Sequence, residues 1–86
     1  MALTLDAPAR SPRLTRRNEL RLVAAGPARW RIVDGTGRAI GHLQAIGHAD
    51  GERYRARRFH APSRAFRDLG EFWSADDAVE CVALAR

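Results

Sequence analysis

Hydrophobic and polar side chains alternate over much of this chain, and turn-forming residues interrupt the alternation at intervals. In the segment RWRIV, 29–33, Trp30 and Ile32 alternate with arginines, which is typical of a strand with one buried face. The next segment, DGTG, 34–37, contains residues that tolerate a positive φ and favour a reversal. The pattern therefore predicts a half-buried strand followed by a turn.

A second reversal is expected near the middle of the chain. Two β-compatible runs, 39–47 and 52–60, flank the dipeptide Asp50-Gly51. The spacing of aliphatic residues in 39–47 also suits a helix, but Asp-Gly between two such runs is a strong hairpin signal. We predict that 39–47 and 52–60 pair as antiparallel strands.

Segments on either side extend this sheet. ELRLVAAG, 19–26, alternates leucine with charge before a Gly-Pro break, which fits a short edge strand or the remnant of a helical turn, and we interpret it as a strand. HAPSRA, 60–65, is typical of a turn. FRDLGEFW, 66–73, predicts a further strand, with a bulge or a close backbone approach at Gly70.

The segment SADDAVECVALAR has the features of a helix that lies on a sheet. Ser74 is a good N-cap residue, and Asp76 and Asp77 suit the positive end of the helix dipole. Arg86 suits the negative end. The fold class is therefore predicted as α+β, an antiparallel meander of three or four strands with one C-terminal helix packed across one face. The helix residues expected on the apolar face are Ala75, Ala78, Val79, Val82 and Ala83.

The amino-terminal segment differs from the rest in composition. Residues 1–18 contain four arginines, two prolines and one acid, and such a segment buries too little apolar surface to offset its ordering entropy. We interpret 1–18 as a disordered basic arm, or equally as a solubilising terminus, and 19–86 as a single small α+β domain. No run resembles a signal peptide or the roughly 20 apolar residues of a membrane span, so we expect a cytoplasmic protein that does not bind membranes.

Charge narrows the class of partner. All 15 Lys and Arg positions are arginine, and the formal net charge is +5 with an isoelectric point near 11.2. Arginine matches phosphate geometry, although a GC-rich genome explains the absence of lysine more economically. The charge favours a polyanionic partner, but it does not distinguish nucleic acid from anionic lipid or an acidic protein.

The histidines do not predict a metal site. His42 and His48 would lie on the order of 20 Å apart on an extended strand, which is too far to share a metal ion. His42 and His60 are able to meet across strands, but no third ligand is evident nearby. We expect surface or partly buried histidines and no metal or other cofactor.

An enzyme is not predicted either. Asp76 and Asp77 diverge by about 100° on a helix, so they do not form a catalytic pair. Cys81 falls beside the apolar face of the helix and is expected to be a small buried thiol rather than a nucleophile. A core of this size also leaves little room for a substrate cavity.

The most basic stretch is ERYRARRF, 52–59. Because strand residues alternate between faces, its arginines at 53, 55 and 57 project together, spaced by roughly 6.6 Å, close to the distance between successive phosphates. Arginines that flank Trp30 and follow Phe66 are expected on the same surface. The predicted nucleic-acid-binding residues are Arg53, Arg55, Arg57, Arg67, Arg29 and Arg31.

Charge is also distributed unevenly along the chain. Residues 53–67 contain six arginines and no acid, whereas 71–80 contain four acids and no base. This distribution predicts a positive sheet face and a negative helix. The same alternation is equally typical of a sheet that keeps one polar face in water, or of an edge strand protected against aggregation.

Three motifs in residues 54–82 resemble a known class of DNA-binding domain. The motifs are Tyr54-Arg55-Ala56-Arg57, Leu69-Gly70-Glu71-Phe72 and Ser74-Ala75-Asp76-Asp77-Ala78. Together they resemble the three-stranded-sheet-plus-helix domains of the plant APETALA2 and ethylene-response class and the amino-terminal domains of tyrosine recombinases. The resemblance implies binding of the sheet in the major groove of DNA, with Arg55, Arg57 and Arg67 touching phosphates and base edges.

Two functions follow as hypotheses. The first is a small nucleic-acid-binding module, with DNA favoured over RNA, that uses its arginine-rich sheet face largely for phosphate contacts. The second is a protein-interaction or structural module that meets an acidic protein, or another copy of itself, through the basic sheet or a strand edge. The sequence does not predict the target, the pathway or the oligomeric state.

Overall fold

The computed structural model describes residues 11–16 and 19–85, which form five strands and one α-helix. A short 3-10 turn at Ala61–Ser63 joins the fourth strand to the fifth. The helix, α1, spans Ala75–Leu84. The strands are β1 (Arg21–Gly26), β2 (Arg29–Val33), β3 (Ala39–His48), β4 (Gly51–His60) and β5 (Ala65–Phe72).

The strands form one sheet in the order β1-β2-β3-β4-β5, and every neighbouring pair is antiparallel. The predicted α+β meander with one C-terminal helix is confirmed, but the sheet has five strands rather than three or four. The interpretation of 19–26 as a strand is confirmed by β1, in which Leu22 lies opposite Ile32. Its alternation is weak in the sequence because small or exposed residues follow Leu22.

The predicted hairpins are present. In the β3–β4 hairpin the opposed residues run from Gly41 and Arg58 to His48 and Gly51, and Gly51 has a φ of 125° that favours glycine. The earlier reversal is held by the carboxylate of Asp34, which accepts hydrogen bonds from the backbone N–H groups of Thr36 (2.9 Å) and Arg38 (3.0 Å).

A β-bulge lies at the position predicted from Gly70. Ala56 of β4 pairs with Gly70, but the next residue, Arg57, pairs with Asp68, so Leu69 is an extra residue in β5. Gly70 has a φ of 109°, and its N–H donates to Oδ1 of Asp68 at 2.9 Å. Because successive strand residues point to opposite faces, one extra residue exchanges the faces of everything that precedes it in β5.

Helix α1 packs on one face of the sheet, where small residues allow close approach. Oγ of Ser74 accepts a hydrogen bond from the backbone N–H of Asp77 at 3.0 Å, which confirms the predicted N-cap. At the other end, the guanidinium of Arg58 donates to the carbonyl oxygen of Val82 at 2.7 Å, whereas Arg86 lies outside the described residues. The largest fully buried side chains are Trp30, Ile32, Leu43, Val79 and Val82.

Part of the predicted arm contacts the domain. Residues 1–10, 17 and 18 lie outside the described residues, but 11–16 approach the start of α1. The backbone N–H of Thr15 donates to Asp76 at 2.8 Å, and the guanidinium of Arg16 pairs with Asp77 at 2.6 Å. The hydrogen bonds from Thr15 lower the pKa of Asp76. The described part of 1–18 therefore belongs to the folded unit.

None of the helices in the described part of the chain is long and apolar enough to cross a membrane.

Candidate nucleic-acid interface

The register of the sheet determines which side chains lie opposite α1. Ala56 is fully buried under the helix, so Arg55 and Arg57 project from the other face of β4. Directly opposed residues in neighbouring strands share a face. The register therefore places one continuous set of side chains on the sheet surface away from α1, here called the open face: Val23, Arg29, Arg31, His42, Gln44, Ile46, His48, Arg53, Arg55, Arg57, Phe59, Phe66, Asp68 and Glu71.

Four arginines on the open face form a compact rectangle. One row across the strands contains Arg31, His42 and Arg57, and the neighbouring row has arginine at 29 and 55 on either side of Gln44. Strands lie about 4.8 Å apart and alternate residues about 6.6 Å apart, so the Cα positions of the four arginines enclose about 10 by 7 Å. With Arg53, the structure brings five of the six predicted site residues to one face.

Arg67 does not join them. The bulge at Leu69 places Arg67 opposite Arg58, whose guanidinium bonds to α1. Arg67 therefore lies on the helix side of the sheet, where its guanidinium contacts Nε2 of His60 at 2.9 Å. The expectation that Arg67 shares the surface of Arg57 is wrong, because the inserted Leu69 reverses the faces of the residues that precede it in β5.

Acidic side chains neutralise one edge of the open face. Arg55 pairs with Glu71 at 2.7 Å and lies 3.8 Å from Asp68, and Arg53 pairs with Asp50 at 2.9 Å. The hydrogen bond from Arg55 is the main reason that the pKa of Glu71 is lowered. The predicted separation of a positive sheet from a negative helix therefore fails along β5, where carboxylates lie beside the arginines.

The opposite part of the open face keeps its charge. Arg29, Arg31 and Arg57 form no ion pair with a carboxylate among the described residues. Burial and the fields of these three arginines lower the pKa of His42, which lies between them. Arg29, Arg31 and Arg57 thus lie around His42 without an ion-pair partner among the described residues, although Asp68 lies opposite Arg57 in β5.

Aromatic side chains accompany these charges. The ring of His42 stacks on Phe66 with a centroid separation of 4.4 Å and an interplanar angle of 17°, and Phe59 meets Phe66 edge-on at 5.3 Å. The three rings and Arg31 line a shallow cavity of about 400 Å³. At the other end of β4, the guanidinium of Arg53 lies 3.7 Å from the ring centroid of Trp73.

The aromatic part of this surface was not among the predicted site residues. Phe59 follows Arg57 by two residues, so the alternation already placed the two on one face. His42 was expected as a surface or partly buried histidine, with no aromatic partner predicted for it. Phe66 lies on the open face because of the inserted Leu69, whereas unbroken alternation back from Phe72 would place it under the helix.

Metal binding and the thiol of Cys81 were the other candidates for chemistry. Among residues 11–16 and 19–85, no group of three or more His, Cys, Asp or Glu side chains is placed to hold a metal ion. The thiol of Cys81 is free and half-buried rather than fully buried.

The chain matches no known protein family, no curated protein and no solved structure. The resemblance to sheet-plus-helix DNA-binding domains stays a prediction. Charge and geometry on the open face are therefore the basis for a functional proposal.

Proposed function

We propose that this protein is a small nucleic-acid-binding module that grips phosphates with the open face. The observation that carries the proposal is the convergence of Arg29, Arg31 and Arg57, which have no carboxylate partner among the described residues, on a face that no described helix covers. A guanidinium without an internal partner is able to donate two parallel hydrogen bonds to phosphate oxygens.

DNA is favoured over RNA because of the resemblance of residues 54–82 to sheet-plus-helix DNA-binding domains. Arg55 and Arg57 match arginines of that pattern and lie on the open face. Arg67 matches the pattern in sequence but lies on the helix side of the sheet, so we assign no phosphate or base contact to it. The proposed contacts are to phosphates through Arg29, Arg31 and Arg57, with Arg53 and Arg55 as weaker contributors because they are already paired.

A second candidate is a protein-interaction module. The observation that favours it is the mixed charge along β5, where Arg55 is already bound by Glu71. A surface with both signs of charge suits a protein partner with a complementary pattern, whereas a purely cationic surface suits phosphates.

A salt titration tests phosphate binding directly. With three to four phosphates neutralised, the logarithm of the association constant for a DNA oligonucleotide should fall against the logarithm of salt concentration with a slope of about −3 to −4. Fluorescence anisotropy of labelled DNA measures this slope. A salt-independent interaction, or no binding at low salt, would contradict the proposal.

Two triple variants, one on the open face and one outside it, test whether the open face is the surface that binds phosphates. Replacing Arg29, Arg31 and Arg57 with glutamine should reduce the slope by about 3, because one phosphate contact is lost per arginine. The control replaces three arginines that lie outside the open face, and it should keep nearly the original slope. Equal losses in both variants would show that only net charge matters, and tighter binding to RNA of the same sequence would overturn the DNA preference. The control residues are Arg13, Arg38 and Arg64.

A further inference from the structure

We propose that the open face binds single-stranded nucleic acid, with an unpaired base stacked on the aromatic cluster of His42, Phe59 and Phe66. This inference rests on the proposed function and deepens it by naming the form of the ligand. Duplex DNA hides the flat faces of its bases inside the helix, whereas a single strand offers them to aromatic side chains. The aromatic cluster is therefore the feature by which the protein would distinguish a single strand from a duplex.

The aromatic cluster is accessible although its rings are apolar. Phe66 is 44% exposed while it stacks on His42. Its neighbour Phe59 and the guanidinium-bearing Arg31 also line the cavity of about 400 Å³. A flat, apolar depression with a guanidinium beside it suits a nucleobase attached to a phosphate. Phosphate binding alone does not require an exposed phenylalanine.

A second aromatic ring lies at the far end of the same face. Trp73 is 61% exposed, and one side of its indole is occupied by the guanidinium of Arg53. Residues 53 and 59 are six apart in β4, so the two aromatic points are about 20 Å apart. A single strand with splayed bases is able to bridge that distance, with Arg55 and Arg57 between its ends.

Cations and acids occupy different parts of the open face. The unpaired cations lie on β2 and β4, whereas Asp68 and Glu71 lie on β5 beside the aromatic rings. A strand that turns its phosphates toward Arg29 and Arg31 would turn its bases toward β5. There, carboxylates accept hydrogen bonds from the amino groups of bases and do not face the phosphates. A duplex presents phosphates on both sides and would bring some of them against these acids.

The test compares three labelled oligonucleotides of equal length: a single DNA strand, the matching duplex, and an abasic strand that has phosphates but no bases. Fluorescence anisotropy should show at least tenfold tighter binding of the single strand than of the duplex, and weaker binding of the abasic strand. Phe66→Ala should reduce affinity for the single strand by about 5- to 160-fold, since stacking is worth about 1–3 kcal/mol per base. The same variant should bind the abasic strand as the original protein does.

Two further variants control for folding and surface loss. Phe66→Leu keeps apolar bulk and removes the ring, so it should weaken single-strand binding even if Phe66→Ala folds poorly. Leu84→Ala removes a side chain that is 66% exposed on α1, away from the open face, and should change nothing. Binding should also quench the fluorescence of Trp73, since Trp30 is buried and out of reach.

The outcomes separate the two proposals. If none of the three oligonucleotides binds at low salt, the nucleic-acid function itself is wrong. If the duplex or the abasic strand binds as tightly as the single strand, or both Phe66 variants bind it unchanged, phosphate binding stands and the single-strand inference is overturned.

Discussion

The two faces of this sheet differ in the size and charge of their side chains. On the helix-covered face, small residues such as Gly41, Ala56 and Ala78 let α1 approach closely, and no polar or charged residue is fully buried among those described. On the open face, arginines alternate along the same strands, where Arg29 and Arg31 are exposed. Arg53 and Arg55 are half-buried and pair with acids. On the helix-covered face, added side-chain volume is expected to reduce stability. On the open face, loss of positive charge is expected to reduce binding. Neighbouring residues of one strand therefore respond to different kinds of substitution.

The largest effect is expected from overfilling the helix-covered face. A Cβ added at Gly41 would collide with the carbonyl oxygen of Arg57 and lie 2.9 Å from Cγ1 of Val82. We expect Gly41→Ala to reduce the free energy of unfolding by about 3 kcal/mol or more, measured by urea denaturation. Gly47→Ala in the same strand is the control, because nothing lies within 4 Å of an added Cβ there. Similar losses in the two variants would disprove the close approach of β4 and α1 to Gly41.

Adjacent arginines of β4 sharpen the comparison. Arg58→Met removes the hydrogen bond to the carbonyl oxygen of Val82 and should reduce the free energy of unfolding by about 1–3 kcal/mol. Arg57→Met removes a side chain that has no ion pair among the described residues, and should change stability by less than about 0.5 kcal/mol. Nucleic-acid binding should show the reverse order, with the larger loss for Arg57→Met. Thermal unfolding measures the stability of the two variants, and fluorescence anisotropy on the same samples measures their binding. If one variant lost more in both measurements, Arg58 and Arg57 would not have separate roles in stability and binding.

The smallest expected effect is a dependence of binding on pH. The pKa of His42 is lowered from 6.5 by burial and by Arg29, Arg31 and Arg57. A bound phosphate would offset these positive charges and raise that pKa, so binding should take up a proton. Affinity should therefore increase as the pH falls through the range in which His42 takes up its proton, by at most about tenfold per pH unit for one site.

The free protein should respond to pH in the opposite sense. Because the pKa of His42 is lower in the folded state than in the unfolded state, the unfolded chain binds the proton more readily, and stability should fall as the pH drops through and below 6.5. His42→Gln should diminish both trends. Affinity that is independent of pH, or a pH dependence of affinity that remains in His42→Gln, would show that phosphates do not approach His42.

Much of the scaffold was predictable because its signals are local. Asp50-Gly51 predicted the central hairpin, Ser74 predicted the start of α1, and Gly70 predicted the bulge. Each of these depends on backbone conformation or hydrogen bonding within a few residues. The prediction failed where a local signal had a distant consequence, since the bulge reversed the faces of Phe66 and Arg67.

By itself, the sequence determined the class of fold, the antiparallel pairing of 39–47 with 52–60, and the common face of Arg53, Arg55 and Arg57, because alternation and turn chemistry act over short distances. Only the tertiary structure decided which arginines keep their charge free. Ion pairs such as Arg55 with Glu71 join residues of different strands. The meeting of His42 with Phe66 also depends on the register of three strands and one inserted residue, which no single segment specifies.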